Sequence, residues 1–247
     1  MDRIAVISDI HGNLPALKAV FKDIEENNIE RIICIGDLVG KGPNCTDVID
    51  LCKERCEVVV TGNWDRFLSK LELPEDLWYQ KRMGEERVQY LGKLPETMGF
   101  YLSGRLVRLY HAHPHDIYGR IFHESPLEEK MVLFENPKLQ KLDDEEQDSD
   151  IVGYGDIHGA FVEYLPGEKV LFNVGSVGNP YDGTPMASYA ILEGRLNSKV
   201  KDSYGITLKR VIYDVEETIN DAIEADVPDL NIYIRETREA VYLRRKK

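Results

Sequence analysis

Apolar and polar positions follow two different periods along the first sixty residues. Residues 3–8 form an apolar run that turns polar at Ser8, which predicts a buried strand. Leu14, Leu17, Val20, Phe21 and Ile24 then recur at helical spacing, with Asn13 placed to cap that helix and Pro15 suited to its first turn. The succession repeats as a strand over 31–35, a helix over 46–55 and a strand over 57–61. Strands alternating with helices predict an α/β fold with a largely parallel, helix-covered sheet, whose polar functional residues collect at the carboxyl ends of the strands. Asp9, Asp37 and Asn63 fall at those ends.

Beyond Asn63 the pattern changes. Residues 64–94 read as mostly helical with an interruption at Pro74, and 99–103 with 105–110 read as a hairpin about Ser103-Gly104. The stretch 114–150 ends in Asp143-Asp144-Glu145-Glu146-Gln147-Asp148-Ser149-Asp150, the composition of a solvated loop. Strands resume over 151–154, 160–165, 169–173, 187–192 and 206–213, in an antiparallel or mixed arrangement. From Asn231, Ile232, Ile234, Ala240, Val241 and Leu243 stand among charges, which predicts a helix packed on the body. Its terminal Arg244-Arg245-Lys246-Lys247 suits the negative end of a helix dipole. A chain of 247 residues can bury one large core, so 1–247 is expected to form a single domain. A helical insertion is expected at about 64–95 and an acidic-loop insertion at about 114–150.

The formal charge of -13 would repel a polyanion, which argues against stable nucleic-acid binding. A small anion remains an acceptable substrate where metal ions reverse the sign locally. No apolar run approaches the length of a membrane span, so a cytoplasmic protein without a membrane partner, monomeric or homodimeric, is expected. Cys34, Cys45, Cys52 and Cys56 lack any Cys-x-x-Cys spacing, and Cys34 lies in the apolar run Ile32-Ile33-Cys34-Ile35. Buried thiols are the expectation there.

Candidate chemistry enters with the tetrapeptide Asp-Ile-His-Gly, which occurs at 9–12 and again at 156–159, each time after a strand-like run. In an extended segment residues i and i+2 point to the same side, so each copy could turn a carboxylate and an imidazole into one cavity. One Asp-x-His pair alone is commonplace. Collecting the ligand-type residues at predicted strand ends gives Asp9, His11, Asp37, Asn63, His111, Asp156 and His158. This mixture of carboxylate, imidazole and amide suits two borderline divalent ions, and fits calcium alone or a thiolate zinc site poorly.

In their order these blocks resemble the calcineurin-like metallophosphoesterase superfamily, in its small bacterial and archaeal branch. Its pattern runs Asp-x-His, Gly-Asp, Gly-Asn-His, a lone His, then Gly-His-x-His. The resemblance covers residues 4 to about 193 and implies a four-layer αββα sandwich, two packed mixed β-sheets flanked by helices. It implies that Asp9, His11 and His158 hold one metal, that Asn63, His111 and Asp156 hold a second, and that Asp37 bridges them. Manganese or iron is favoured, with zinc, cobalt or nickel as alternatives. A hydroxide pinned between the ions would attack a small phosphorylated substrate in line, with Asp37 catalytic. Nucleotide-type substrates are favoured, namely phosphodiesters or dinucleoside polyphosphates.

Two departures from that pattern bear on mechanism. Trp64 stands where many members have a His that assists the leaving group, which makes His113, two residues beyond His111, the candidate for that role. Asp156 replaces the first His of Gly-His-x-His and should shift the site toward harder ions. Gly36-Asp37-Leu38-Val39-Gly40-Lys41-Gly42 is similar to the Gly-Asp-x-x-Asp-Arg-Gly run of the phosphoprotein phosphatase branch, with Lys41 in place of the Arg that grips phosphate. Gly175-Ser176-Val177-Gly178-Asn179-Pro180 is similar to the loop that closes the site in bacterial members, where Tyr181 replaces an Arg and offers a stacking face. Asn13, Lys41, Trp64 and Tyr181 are thus the candidate substrate contacts; His115 and His123 read as surface residues. Two rival readings remain: a scaffold on the same fold that has lost catalysis, and a serine/threonine protein phosphatase.

Overall fold

β1 (Asp2–Ile7) sets the layering. Its Ala5 and Ile7 face the helices, while Ile4 and Val6 face a second sheet, so the strand is buried on both sides. The computed structural model describes residues 1–70, 78–138 and 147–243. After β1 come α1 (Leu14–Glu26), β2 (Arg31–Cys34), α2 (Cys45–Arg55), β3 (Val58–Val59), α3 (Asn63–Leu68) and α4 (Trp78–Leu91). The hairpin β4 (Thr97–Leu102) and β5 (Arg105–Tyr110) follows, then α5 (Leu127–Val132), β6 (Ile151–Tyr154), β7 (Phe161–Leu165) and β8 (Lys169–Asn173). β9 (Ala187–Gly194), β10 (Gly205–Val211), α6 (Val215–Ala225) and α7 (Leu230–Glu239) complete the order.

One sheet has the order β10-β9-β1-β2-β3, parallel from β1 to β3 and antiparallel at β9 and β10. The other has the order β4-β5-β6-β8-β7, with β5, β6 and β8 parallel and the edge strands antiparallel. Between them Ile33, Ile35, Val107, Leu109, Val170 and Phe172 form the central core. Outside the first sheet, Leu17, Val20, Phe21, Val48 and Ile49 seal α1 and α2 against it. Outside the second, Tyr110, Leu133, Phe134, Val152, Tyr154 and Leu171 make a smaller core with α5. The architecture is the α/β sandwich of two mixed sheets flanked by helices expected above.

Several local expectations shift. The hairpin turn places both Ser103 and Gly104 at positive φ, 50° and 77°, the conformation that matches strand twist in a two-residue loop. The 114–150 stretch contains the short helix α5, which its irregular pattern did not announce. α6 was also unforeseen; Asp214 caps it by accepting from Glu217 N–H at 2.9 Å. α4 is broken at Gly84 (φ 73°). Pro74, the acidic run 143–146 and the basic end 244–247 lie outside the described residues.

Candidate metal centre

The loops that follow β1, β2, β5 and β6 bring the ligand-type side chains together at the seam between the sheets. Asp9, His11, Asp37, Asn63, His111, Asp156 and His158 are all buried. Two groups of donor atoms lie within 4.8 Å of one another among the described residues: Asp9 with His11 and His158, and Asp9 with Asp37 and His111. Asn63 joins by donating its amide to Asp156 Oδ1 at 2.6 Å.

The geometry that produces this convergence differs from the extended one expected. Asp9 (φ 55°), His11 (50°), Asp37 (54°), Asp156 (59°) and His158 (58°) all occupy the left-handed region. β1 ends at Ile7 and β6 at Tyr154, so neither Asp-x-His pair sits in a strand. The paired side chains converge through two left-handed turns, and Asp and His are among the residues that tolerate that conformation best. Glycine clears the space. A Cβ on Gly62 would lie 2.1 Å from Asp37 Oδ1, and one on Gly155 would lie 2.4 Å from Asp9 Oδ2.

Each histidine is oriented from behind. His11 Nδ1 lies 3.0 Å from Val39 O, His111 Nδ1 lies 3.0 Å from Ile35 O, and His158 Nδ1 bonds Asn179 O. A carbonyl only accepts, so each Nδ1 carries the proton and each Nε2 turns inward, as in metal-ligating histidines. His11 Nε2 and His158 Nε2 then face each other at 3.2 Å. Asp9 Oδ1, 3.1 Å from His158 Nε2, and His111 Nε2 are buried atoms with no hydrogen-bond partner among the described residues. Such a set of inward acceptors fits a bound cation, which would satisfy them together.

Electrostatics point the same way. Burial, with Lys41 and His158, holds the His11 ring well below its ordinary pKa and therefore neutral. Burial opposes ionisation of Asp9, yet His158 and then His111 hold its carboxyl far below the usual range. Burial also acts to depress His111, but Asp37, Asp9 and Asp156 outweigh it and raise that ring well above 6.5. The cluster carries an excess of carboxylate that calls for positive charge.

Four supporting residues escaped the sequence reading. Asp65, fully buried, accepts from Asp37 N–H at 2.8 Å, Gly62 N–H at 2.9 Å and Leu38 N–H at 3.0 Å. It ties the loop carrying Asp37 to the one carrying Asn63. Arg120 places Nε 3.0 Å from Asp156 Oδ2. Asn179 orients His158 through its carbonyl and accepts from Lys41 Nζ at 2.9 Å. Glu236 of α7 accepts from the Tyr181 hydroxyl at 2.8 Å. Asp65 stands three residues after Gly62, the spacing of a capping carboxylate, and that was its readable signal.

The candidate substrate contacts divide. Asn13 is turned away: it caps α1 through Ala16 N–H at 3.1 Å, donates to Gly178 O at 2.8 Å and accepts from Thr218 at 2.9 Å, so its amide is fully engaged. Tyr181 stacks on His158, centroids 4.5 Å apart and planes 8° from parallel, and gives that face to a candidate ligand histidine instead of a base. Lys41 and Trp64 both line a cleft beside the cluster. Burial lowers the Lys41 ammonium to about 8, against the pull of Glu236 and Asp37. Trp64 lies edge-on to His11, centroids 6.2 Å apart, and donates its backbone N–H to Asp37 Oδ1 at 2.8 Å. His113 belongs to neither group of converging donor atoms. β5 has ended at Tyr110, so the same-side argument fails, and His113 Nδ1 accepts from His115 N–H at 3.1 Å.

The sequence profile of the calcineurin-like phosphoesterase superfamily domain matches residues 2–195. The chain belongs to that superfamily. It is a metal-dependent phosphoesterase. It is similar to a metallophosphoesterase from Sphaerobacter thermophilus, with 25% identity, TM-score 0.74 and coverage of 97% of this chain and 99% of that one. The hypothetical protein PH1004 from Pyrococcus horikoshii OT3 shares the fold at TM-score 0.76 and 19% identity, over 97% and 99% of the two chains. The uncharacterized protein MJ0912 of Methanocaldococcus jannaschii is 29% identical, over 92% of this chain and 94% of its own. Among the described residues, no helix of this phosphoesterase is long and apolar enough to cross a membrane.

Proposed function

We propose that this phosphoesterase hydrolyses small phosphorylated molecules, nucleotide-type esters above all, with two divalent ions held by the buried cluster. The observation that carries the reading is the inward convergence of three histidine Nε2 atoms, each fixed by an Nδ1–H bond to a backbone carbonyl, on shared carboxylates. Asp9, His11 and His158 would hold one ion; His111, Asn63 and Asp156 would hold the other. Asp37 Oδ2 lies 3.5 Å from both His11 Nε2 and His111 Nε2, which supports a bridging carboxylate. The oxygen and imidazole donors favour manganese or iron. Bound divalent ions supply an acidified water and a positive field for the phosphoryl oxygens.

The chain's own residues do the positioning. Trp64 N–H fixes Asp37 Oδ1 and leaves Oδ2 to the cluster, while Asp65 fixes the Asp37 backbone. Lys41 offers a cation at the edge of the site. Hydrolysis breaks the ester P–O bond and forms one to the water oxygen, and a water proton ends on the departing alcohol.

The test combines elemental analysis with hydrolysis of p-nitrophenyl phosphate and its bis ester by manganese-loaded protein. Wild type should turn over and Asp37→Ala should lose about a hundredfold or more in kcat. Activity that survives loss of Asp37 refutes the bridging role. Substoichiometric metal with no turnover favours the scaffold reading.

A further inference from the structure

Two clefts open beside the metal-ligand cluster and share one wall, made by Arg120 and Tyr242. The first, about 400 Å³, is lined by Asp156, Ile157, Phe161 and Phe122. The second, about 570 Å³, is lined by Lys41, Trp64, Ile232, Tyr233 and Leu243. Both volumes are those of small-molecule sites, and both offer aromatic or aliphatic surface next to a cation. Arg120 stands between them with its guanidinium on Asp156 and its side chain 45% exposed, so it faces the cluster and both clefts.

Charge narrows the occupant. Lys41 Nζ is countered by Glu236 Oε2 at 3.9 Å, and Arg120 by Asp156 at 3.0 Å, which leaves little uncompensated positive charge beyond the metals. A phosphomonoester is close to dianionic at neutral pH, whereas a diester carries one charge and two organic arms.

We propose that the substrate is a phosphodiester with one flat or apolar arm in each cleft, Arg120 beside the phosphate, and Tyr242 dividing the arms. This rests on the hydrolytic reading above and narrows it. The Tyr242 side of the dividing wall belongs to the C-terminal segment, beyond residue 195 where the family match ends. Glu236 pins that segment to the site. Its Oε2 accepts from Tyr181 and its Oε1 from Leu243 N–H at 3.0 Å, one residue past Tyr242. Tyr242 also packs edge-on against Tyr181, centroids 5.2 Å apart. The wall is thereby fixed to the residue that stacks on His158, and the arms are selected at a set distance from the metals.

Three p-nitrophenyl esters with one leaving group test this: p-nitrophenyl phosphate, its methyl ester, and its thymidine 5′ ester. With manganese-loaded protein, kcat/KM should rise at least about tenfold from the methyl to the thymidine ester, and the monoester should be poorest. Tyr242→Ala should cut that gain to about threefold or less, mainly through KM, while Tyr242→Phe keeps it. Calorimetric titration with an uncleaved dinucleoside phosphonate reads binding apart from turnover and should weaken in Tyr242→Ala by a similar factor. Equal kcat/KM for the methyl and thymidine esters, a preference for the monoester, or equal loss on all three in Tyr242→Ala would overturn the two-arm site and leave the phosphoesterase reading standing. No turnover of any ester would bring down both.

Discussion

Replacing Asp65 by alanine tests whether the cluster depends on a carboxylate that touches no ligand atom directly. Its oxygens accept three backbone N–H groups, from Asp37, Gly62 and Leu38, at 2.8, 2.9 and 3.0 Å, and the residue has no exposed surface. Stranding buried donors costs about 1–3 kcal/mol each, so the gross loss is about 3 kcal/mol or more. Part is offset. Burial, then Asp37, raises the Asp65 carboxyl from 3.8 to about 7. A raised carboxyl favours the fold fully below 3.8 and loses that advantage as pH climbs through about 7, so near neutrality the variant sheds a desolvated charge. We expect a net loss of about 2 kcal/mol at pH 7, larger at pH 5, read by urea unfolding in EDTA. Activity should suffer more than stability. Asp37 holds its left-handed backbone partly through the bond to Asp65, and a shift of about 1 Å in such a group costs about a hundredfold in kcat. Asp65→Asn keeps the volume but presents an NH2 group to one of the three N–H donors, and should lose activity with a smaller loss of stability. If Asp65→Ala keeps kcat within about threefold and unfolds within about 0.5 kcal/mol of wild type, the reasoning fails.

Lys41 should give the site a basic-limb pH dependence. Its ammonium, lowered to about 8, loses charge as pH rises, so KM for a phosphate ester should climb above about pH 8, and Lys41→Arg should flatten that limb. The same depression penalises the folded state below about 8, so unfolding free energy should rise with pH between about 8 and 10.5 in wild type and not in Lys41→Met. Gly178→Ala places a Cβ 1.8 Å from Ile10 O and should lower stability by about 3 kcal/mol, whereas Gly159→Ala meets nothing within 4 Å and should be neutral in the same thermal melt.

The layering of the fold was legible because strands buried on both faces read as continuous apolar runs, as in Ile32-Ile33-Cys34-Ile35. The candidate ligand set could be collected from the sequence because each of its members follows a strand end. What stayed hidden depends on contacts far along the chain. Arg120 lies in a segment without period and reaches Asp156 only through the fold. Glu236 sits on a charged helix, where a carboxylate ordinarily faces water, yet it is 5% exposed because Tyr181 and Leu243 converge on it. α6 carried a usable signal, Asp214 followed three residues later by Glu217, ahead of Thr218, Ile219 and Ala222 on one face. Asn13 caps α1 as its position predicted, whereas the argument that set His113 on the side of His111 assumed an extended segment, and β5 ends at Tyr110.

The twin Asp-Ile-His-Gly segments explain how such a site persists. Both copies adopt the same pair of left-handed residues, although one follows a strand of the first sheet and the other a strand of the second. Each non-glycine residue in that conformation costs about 1 kcal/mol or more, and five of the seven candidate ligands bear it. The strain is held by cross-loop bonds independent of any ion. Asp9 N–H reaches Gly36 O at 2.9 Å, Ile10 N–H and His11 N–H reach Asp37 O at 2.8 and 2.9 Å, and Gly155 N–H reaches His111 O at 2.8 Å. Between the sheets, Asp156 N–H donates to Asp9 Oδ2 at 3.1 Å and Gly178 N–H to Asp9 O at 3.0 Å. The turns are therefore set by the sheets and locked to each other before a cation arrives, so binding need not supply the ordering of the ligands. Asp156 belongs to this lock through its backbone as well as to the cluster through its carboxylate. A histidine at that position could reproduce the N–H contact but not the negative charge that Arg120 pairs with. The Asp156 carboxylate and the Arg120 guanidinium are thus two halves of one electrostatic arrangement at the mouth of the clefts.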